Sequence, residues 1–164
     1  MPGTDNPEVR DLLAALERHR GFLTFTTLRL TDDEARLTPT ASELHIGGLV
    51  KHVTATERGW VAFMTGGDMA AAAGDWWAGH HMGADETLEG LLDDYARCAE
   101  ETEAAVIALD SLDSATPLPE APWFEPGATW TARRVLLHIL AETAQHAGHA
   151  DIIRETIDGQ KTMG

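Results

Sequence analysis

Residues 133–155 read RRVLLHILAETAQHAGHADIIRE, the periodicity of a long helix with one side turned to a core. At about 100° per residue, Val135, Ile139, Ala150 and Ile153 fall along one broad side. Glu142, His146 and His149 fall within that same side rather than opposite it. A carboxylate and two imidazoles thus sit in the stripe that should be buried. Polar groups left there without partners cost on the order of several kcal/mol, so something must satisfy them.

This last helix is expected to begin after Thr129, an N-cap by residue type, and to stop near Asp158 at Gly159. Working outward, periodicity predicts a first helix from about Pro7 to Arg29 and a second from Ile46 to Met64, ended by Gly66 and Gly67. A third runs from Asp85 or Thr87 to about Leu109. Thr31 to Glu34 has the form of a capping box, which implies a short helical turn over residues 32–37. Strand signals are nearly absent; FLTFTTL at residues 22–28 is the best candidate and fits a helix as well. Two connections are long. Residues 66–83 are rich in Gly, Ala, Trp and His, and residues 111–127 contain Pro117, Pro119, Pro122 and Pro126. The predicted architecture is an all-α four-helix bundle with long crossover loops, residues 1–164 forming a single domain.

The second helix repeats the anomaly of the last. His52 shares its face with Leu49, Val53, Thr56, Trp60 and Phe63. Glu142 and His146, four apart, are neighbours one turn along their helix, and His52 lies across the core. A hydrogen bond to a carbonyl or hydroxyl accounts for His52 alone, and a buried ion pair accounts for Glu142 and His146. A shared divalent metal accounts for all three at once. Two His and one carboxylate suit an open site, with zinc the expected ion and nickel or iron the alternatives. His149 is expected behind or beside the ion, as an orienting group or a catalytic proton carrier. His138 is expected at a boundary, and His80 and His81 in a solvated loop. A di-iron centre needs paired Glu-x-x-His motifs, which the chain lacks.

Composition narrows the function classes. The formal net charge is -15, from 27 acidic and 12 basic residues. Such a surface repels phosphate backbones, so nucleic acid is not an expected partner. No apolar run reaches membrane-spanning length and residues 1–10 lack a signal peptide's apolar core, so a cytoplasmic protein without a membrane partner is expected. Cys98 is the sole cysteine, and the carboxylates of Glu100 and Glu101 beside it disfavour a thiolate nucleophile. Trp60 and Trp130 read as packing residues, whereas Trp76, Trp77 and Trp123 are candidates to wall a ligand pocket.

Two blocks carry a resemblance to a known family. They are Gly47, Gly48, Leu49, Lys51 and His52 early, then Glu142, Thr143, His146, Ala147, Gly148, His149, Ala150 and Asp151 late. In this order and separation they resemble the DinB/YfiT-like superfamily of metal-binding four-helix bundles, and the likeness spans nearly the whole chain. Many members bind the ion through three histidines. Here Glu142 stands at the first of the two last-helix positions, similar to the His, Glu, His set of mycothiol-dependent maleylpyruvate isomerases. His45, where a small hydroxyl N-cap would be expected, is a second departure.

The resemblance implies a transferase or isomerase using mycothiol or bacillithiol as thiol cosubstrate, acting on a small-molecule substrate. The metal would deprotonate the thiol, and the loop at residues 66–84 would serve as a lid. A metal-dependent hydrolase and a non-catalytic binding module are the alternatives, and a homodimer through an exposed helix face stays open.

Overall fold

The computed structural model describes residues 6–74 and 78–163, and its longest element is α6 (Ala132–Asp158). Thr131, not Thr129, caps this helix: its hydroxyl accepts from the Arg134 N–H. Gly159 closes it at φ 82°, a left-handed conformation that costs a residue without Cβ little. Thr129 instead belongs to a two-stranded antiparallel sheet of β1 (Ala115–Pro117) and β2 (Thr129–Thr131), with Ala115 opposite Thr131. This sheet was not expected. Thr-Trp-Thr favours the extended chain, but three residues are too few to show a period.

FLTFTTL forms no strand. It closes α1 (Pro7–Phe25), which ends before the expected Arg29. The hydroxyls of Thr26 and Thr27 donate back to the carbonyls of Leu23 and Thr24, each at 2.7 Å, and turn the chain out of the helix. Arg154 of α6 then receives the freed carbonyls, donating from one guanidinium nitrogen to Thr26 O at 2.7 Å and Leu28 O at 2.8 Å. Its remaining N–H groups go to Asp158 and Gln160. A fully buried guanidinium thereby has all its donors used.

The short α2 (Asp32–Ala35) has both hydrogen bonds of its capping box. Next, α3 (Ile46–Met64) has the boundaries its periodicity predicts. The crossover that follows contains α4 (Met69–Ala73) and a 3-10 turn at Ala78–His80. Finally, α5 (Leu88–Ala108) starts on Thr87, whose hydroxyl accepts from the Gly90 N–H.

Contacts fix the directions of the helices. Glu8 meets Arg133 near the starts of α1 and α6, and Thr26 meets Arg154 near their ends, so these two run parallel. Trp60, late in α3, stacks on Trp130 just before α6, so α3 runs antiparallel to α6. Lys51 pairs with Glu86, and Glu57 with Thr102, so α3 and α5 run parallel. A short turn cannot join parallel neighbours, and the chain between them must return along the length of α3. No helix among the described residues is long and apolar enough to cross a membrane.

The core is divided. One apolar cluster includes Leu16, Phe63, Val106 and Ile139; the other includes Leu23, Leu49, Tyr95 and Ile153. Between them each long helix contributes a buried polar residue: Arg20 from α1, Glu57 from α3, Thr102 from α5 and Thr143 from α6. The Glu57 carboxylate has 0% exposure, takes two hydrogen bonds from Arg20 and accepts the Thr102 hydroxyl at 2.5 Å. Glu57→Gln removes the charge that compensates Arg20 and should lower unfolding stability by about 3 kcal/mol. Urea unfolding checks this, and the double variant Arg20→Met with Glu57→Leu should recover most of the loss.

Candidate metal centre

Antiparallel packing of α3 on α6 brings His52 opposite Glu142 and His146, the trio anticipated from the sequence. Glu142 Oε2 lies 3.5 Å from His146 Nε2 and 4.0 Å from His52 Nε2. One ligand atom from each residue falls within 4.8 Å of the other two. The shorter separation is at the limit of a hydrogen bond and the longer is beyond it. The shorter one is close to the roughly 3.3 Å edge of a tetrahedron whose centre lies about 2.0–2.1 Å from each ligand atom. The donor set of two imidazoles and one carboxylate fits a zinc-type divalent ion. The imidazole side chains are 14% exposed and the carboxylate 29%, so the trio opens on one side.

Electrostatics keep His52 and Glu142 in ligating form. Burial pushes the His52 imidazole down to about 4, helped by repulsion from His80 and His146 and opposed by Glu142. The Glu142 carboxyl is held below its ordinary value, first by its hydrogen bond with His146 and then by the neighbouring imidazoles. Near neutral pH the donors are therefore an anionic carboxylate and a neutral His52.

His149 lies outside the trio. Its Nδ1 is 3.4 Å from His146 Nδ1, the ring nitrogen remote from Glu142. His138 is half-buried, its pKa lowered by burial, and packs edge-on against Trp60 at 4.8 Å and Trp130 at 5.2 Å. Between these groups lies a chamber of about 280 Å³, bounded by His52, Glu142, Trp60 and His138 and by Met69 and Ala73 of α4. A larger groove of about 470 Å³ between α1 and α5 contains none of the trio. Trp123 is 77% exposed and walls no cavity with the trio, contrary to the sequence expectation. Trp76 and Trp77, the other two tryptophans expected to wall a pocket, lie outside the described residues.

The crossover supplies what sequence reasoning missed. His80 is not a solvated loop residue; its ring stacks on His52 with centroids 3.9 Å apart and planes at 30°. His81 is exposed, as expected. The unusual N-cap His45 does no capping. It is buried, and its Nε2 accepts from the Met82 N–H at 3.0 Å, which puts its proton on Nδ1. Gly48 lets the crossover lie directly on α3, because a Cβ there would stand 2.2 Å from the His80 carbonyl oxygen. The pairing of His45 with Gly48 at the start of α3 was the available signal that a second chain segment packs there.

Cys98 is buried, its Sγ 3.6 Å from Thr54 O. Its thiol is pushed up to about 12, chiefly by burial, next by Glu57 and to a smaller extent by Glu101, one of the carboxylates adjacent in sequence. It is no nucleophile at neutral pH.

Because His52 has a folded pKa of about 4 against an ordinary 6.5, the unfolded chain binds more protons between these values. Its contribution to stability is complete above pH 6.5 and is lost as the pH falls toward 4. Chelator-treated protein should accordingly lose stability across this window, and a His52→Gln variant should lose less. Urea unfolding of both proteins at a series of pH values measures the difference in slope.

No curated protein matches the chain significantly. Among solved structures, the conserved protein of a locus from Enterococcus faecalis aligns with a TM-score of 0.73 over 93% of this chain and 98% of its own. Its sequence identity is 16%, so the likeness is one of fold. The model of the mycothiol-S-transferase family matches residues 11–159, both signature blocks included. The chain belongs to the mycothiol-S-transferase family, within the DinB/YfiT-like superfamily of helical bundles.

Proposed function

We propose that this chain is a divalent-metal-dependent thiol S-transferase with mycothiol as thiol cosubstrate. The observation that carries this reading is the cluster of His52, Glu142 and His146 at the edge of a chamber of about 280 Å³, in a chain of this family. Those residues would hold the ion, zinc in the first instance with nickel or iron as alternatives, and leave at least one position open. When bound, such an ion supplies the positive charge that removes a thiol's proton near neutral pH.

The chain's own residues define the rest. Cys98, buried with its thiol pushed up to about 12, cannot serve as the transferring sulfur, so the thiol comes from outside. The chamber receives the acceptor, with Trp60 as its flat apolar wall and His138 as its polar one. The cosubstrate sulfur loses its proton and bonds to the acceptor carbon, and the leaving group departs with the bonding electrons. His149, 3.4 Å from the remote nitrogen of His146, orients that ring and is the proposed proton carrier, taking up the thiol proton.

Elemental analysis of protein purified without a polyhistidine tag should find about one equivalent of divalent metal in a site of this kind, lost in His52→Ala and His146→Ala. Protein as purified should consume mycothiol stoichiometrically with a small alkylating acceptor, and both variants should not. Acceptor breakdown in the absence of any thiol would move the reading to a hydrolase. Absence of metal after reconstitution would leave a binding module.

A further inference from the structure

The crossover between α3 and α5 is pinned to the first half of α3 at successive points. His45 accepts from the Met82 N–H, Gly48 faces the His80 carbonyl, and Lys51 donates to His81 O at 3.2 Å while pairing with Glu86 at 2.8 Å. These contacts hold the backbone of His80 and of the residues just after it against the start of α3, which brings its ring over His52. We propose that His80 is a positioning residue for the candidate metal centre: stacked on His52, it holds that ring in the plane from which Nε2 faces Glu142 and His146.

The two histidines of the trio are oriented by different means. His146 has His149 at its remote nitrogen, the usual device for fixing a ligating imidazole. His52 meets Thr56 Oγ1 at 3.5 Å, but through Nε2, the nitrogen that faces Glu142. That contact competes with ligation and does not brace it. The His52 ring is instead held by two neighbours. The face of His80 lies 3.9 Å away at 30°, and the ring of His146 meets it edge-on at 4.7 Å and 82°. A flat neighbour restricts rotation about the bond joining ring to chain, as a hydrogen bond would, while leaving the ring's nitrogens free to ligate. Among the described residues the cluster of ligand atoms within 4.8 Å of one another is His52, Glu142 and His146, and His80 meets it through the stack on His52.

This role rests on the metal reading above, and the test separates the two. Zinc affinity is measured by competition with a chromogenic chelator, and the visible spectrum of the cobalt-loaded protein reports the ligand field. His80→Ala should weaken zinc binding about 10-fold, the lower end for loss of an orienting partner, and shift the cobalt bands. His80→Phe keeps a flat ring without nitrogens and should restore most of the affinity and the bands. Equal losses in both variants would show that a ring nitrogen of His80 matters, and would overturn the stacking role. Wild-type binding left unchanged by His80→Ala overturns this role alone. Wild-type protein that takes up neither zinc nor cobalt overturns the metal reading, and this role with it.

Discussion

Burial of the Glu57 carboxylate is the constraint on which the rest of the arrangement turns. A charge with no solvent exposure must be met from within the protein, and Arg20 of α1 and Thr102 of α5 meet it. The contact fixes the rotation of α3 about its own axis, because its partners come from two other helices. His52 lies five residues earlier, about 140° around the helix from Glu57. With Glu57 locked toward α1 and α5, His52 has to face α6, where Glu142 and His146 stand. Apolar packing alone would tolerate small rotations of α3; a buried ion pair with directional hydrogen bonds tolerates far less.

A second constraint follows from direction. Since α3 and α5 run parallel, the chain joining them has to travel back over α3, and it does so across the face that carries His52. The composition of residues 66–83 answers this need. Ala73 comes close to Gly59, and the His80 carbonyl to Gly48, so glycines of α3 stand where the crossover approaches. The same passage puts Met69 and Ala73 on the chamber wall and a histidine over the trio. One long connection thus closes the topology, bounds the cavity and adds a group to the site.

What could be read from the sequence, and what could not, divides along physical lines. The long helices follow from periodicity. The trio follows from polar residues interrupting apolar stripes, and both signals are local to one element. Glu57 and Arg20 escaped notice because charged residues at the margin of a stripe look the same whether they face water or one another. His80 escaped because its position depends on the return path of the crossover, which no local pattern encodes. The β1–β2 pair escaped because strands this short have no visible period. His45 was noticed as an anomaly and could not be interpreted. Its explanation is a backbone amide 37 residues away in the chain, at Met82.

The carboxylate at position 142 sets the charge of the candidate donor set. Two neutral imidazoles and one carboxylate carry a single negative charge, which offsets half that of a divalent cation, whereas three imidazoles would offset none. An added thiolate would then bring the site to neutrality in a partly buried setting where net charge is costly. The surroundings match this balance. The chamber contains no Lys or Arg among its described lining residues, so under the proposed function no lining cation would compete for the thiolate. The two histidines that line the chamber, His52 and His138, are both shifted by burial toward their neutral forms. Under the proposed function, a lining of this kind would not attract a second anion and would favour an uncharged acceptor over a carboxylate-bearing one.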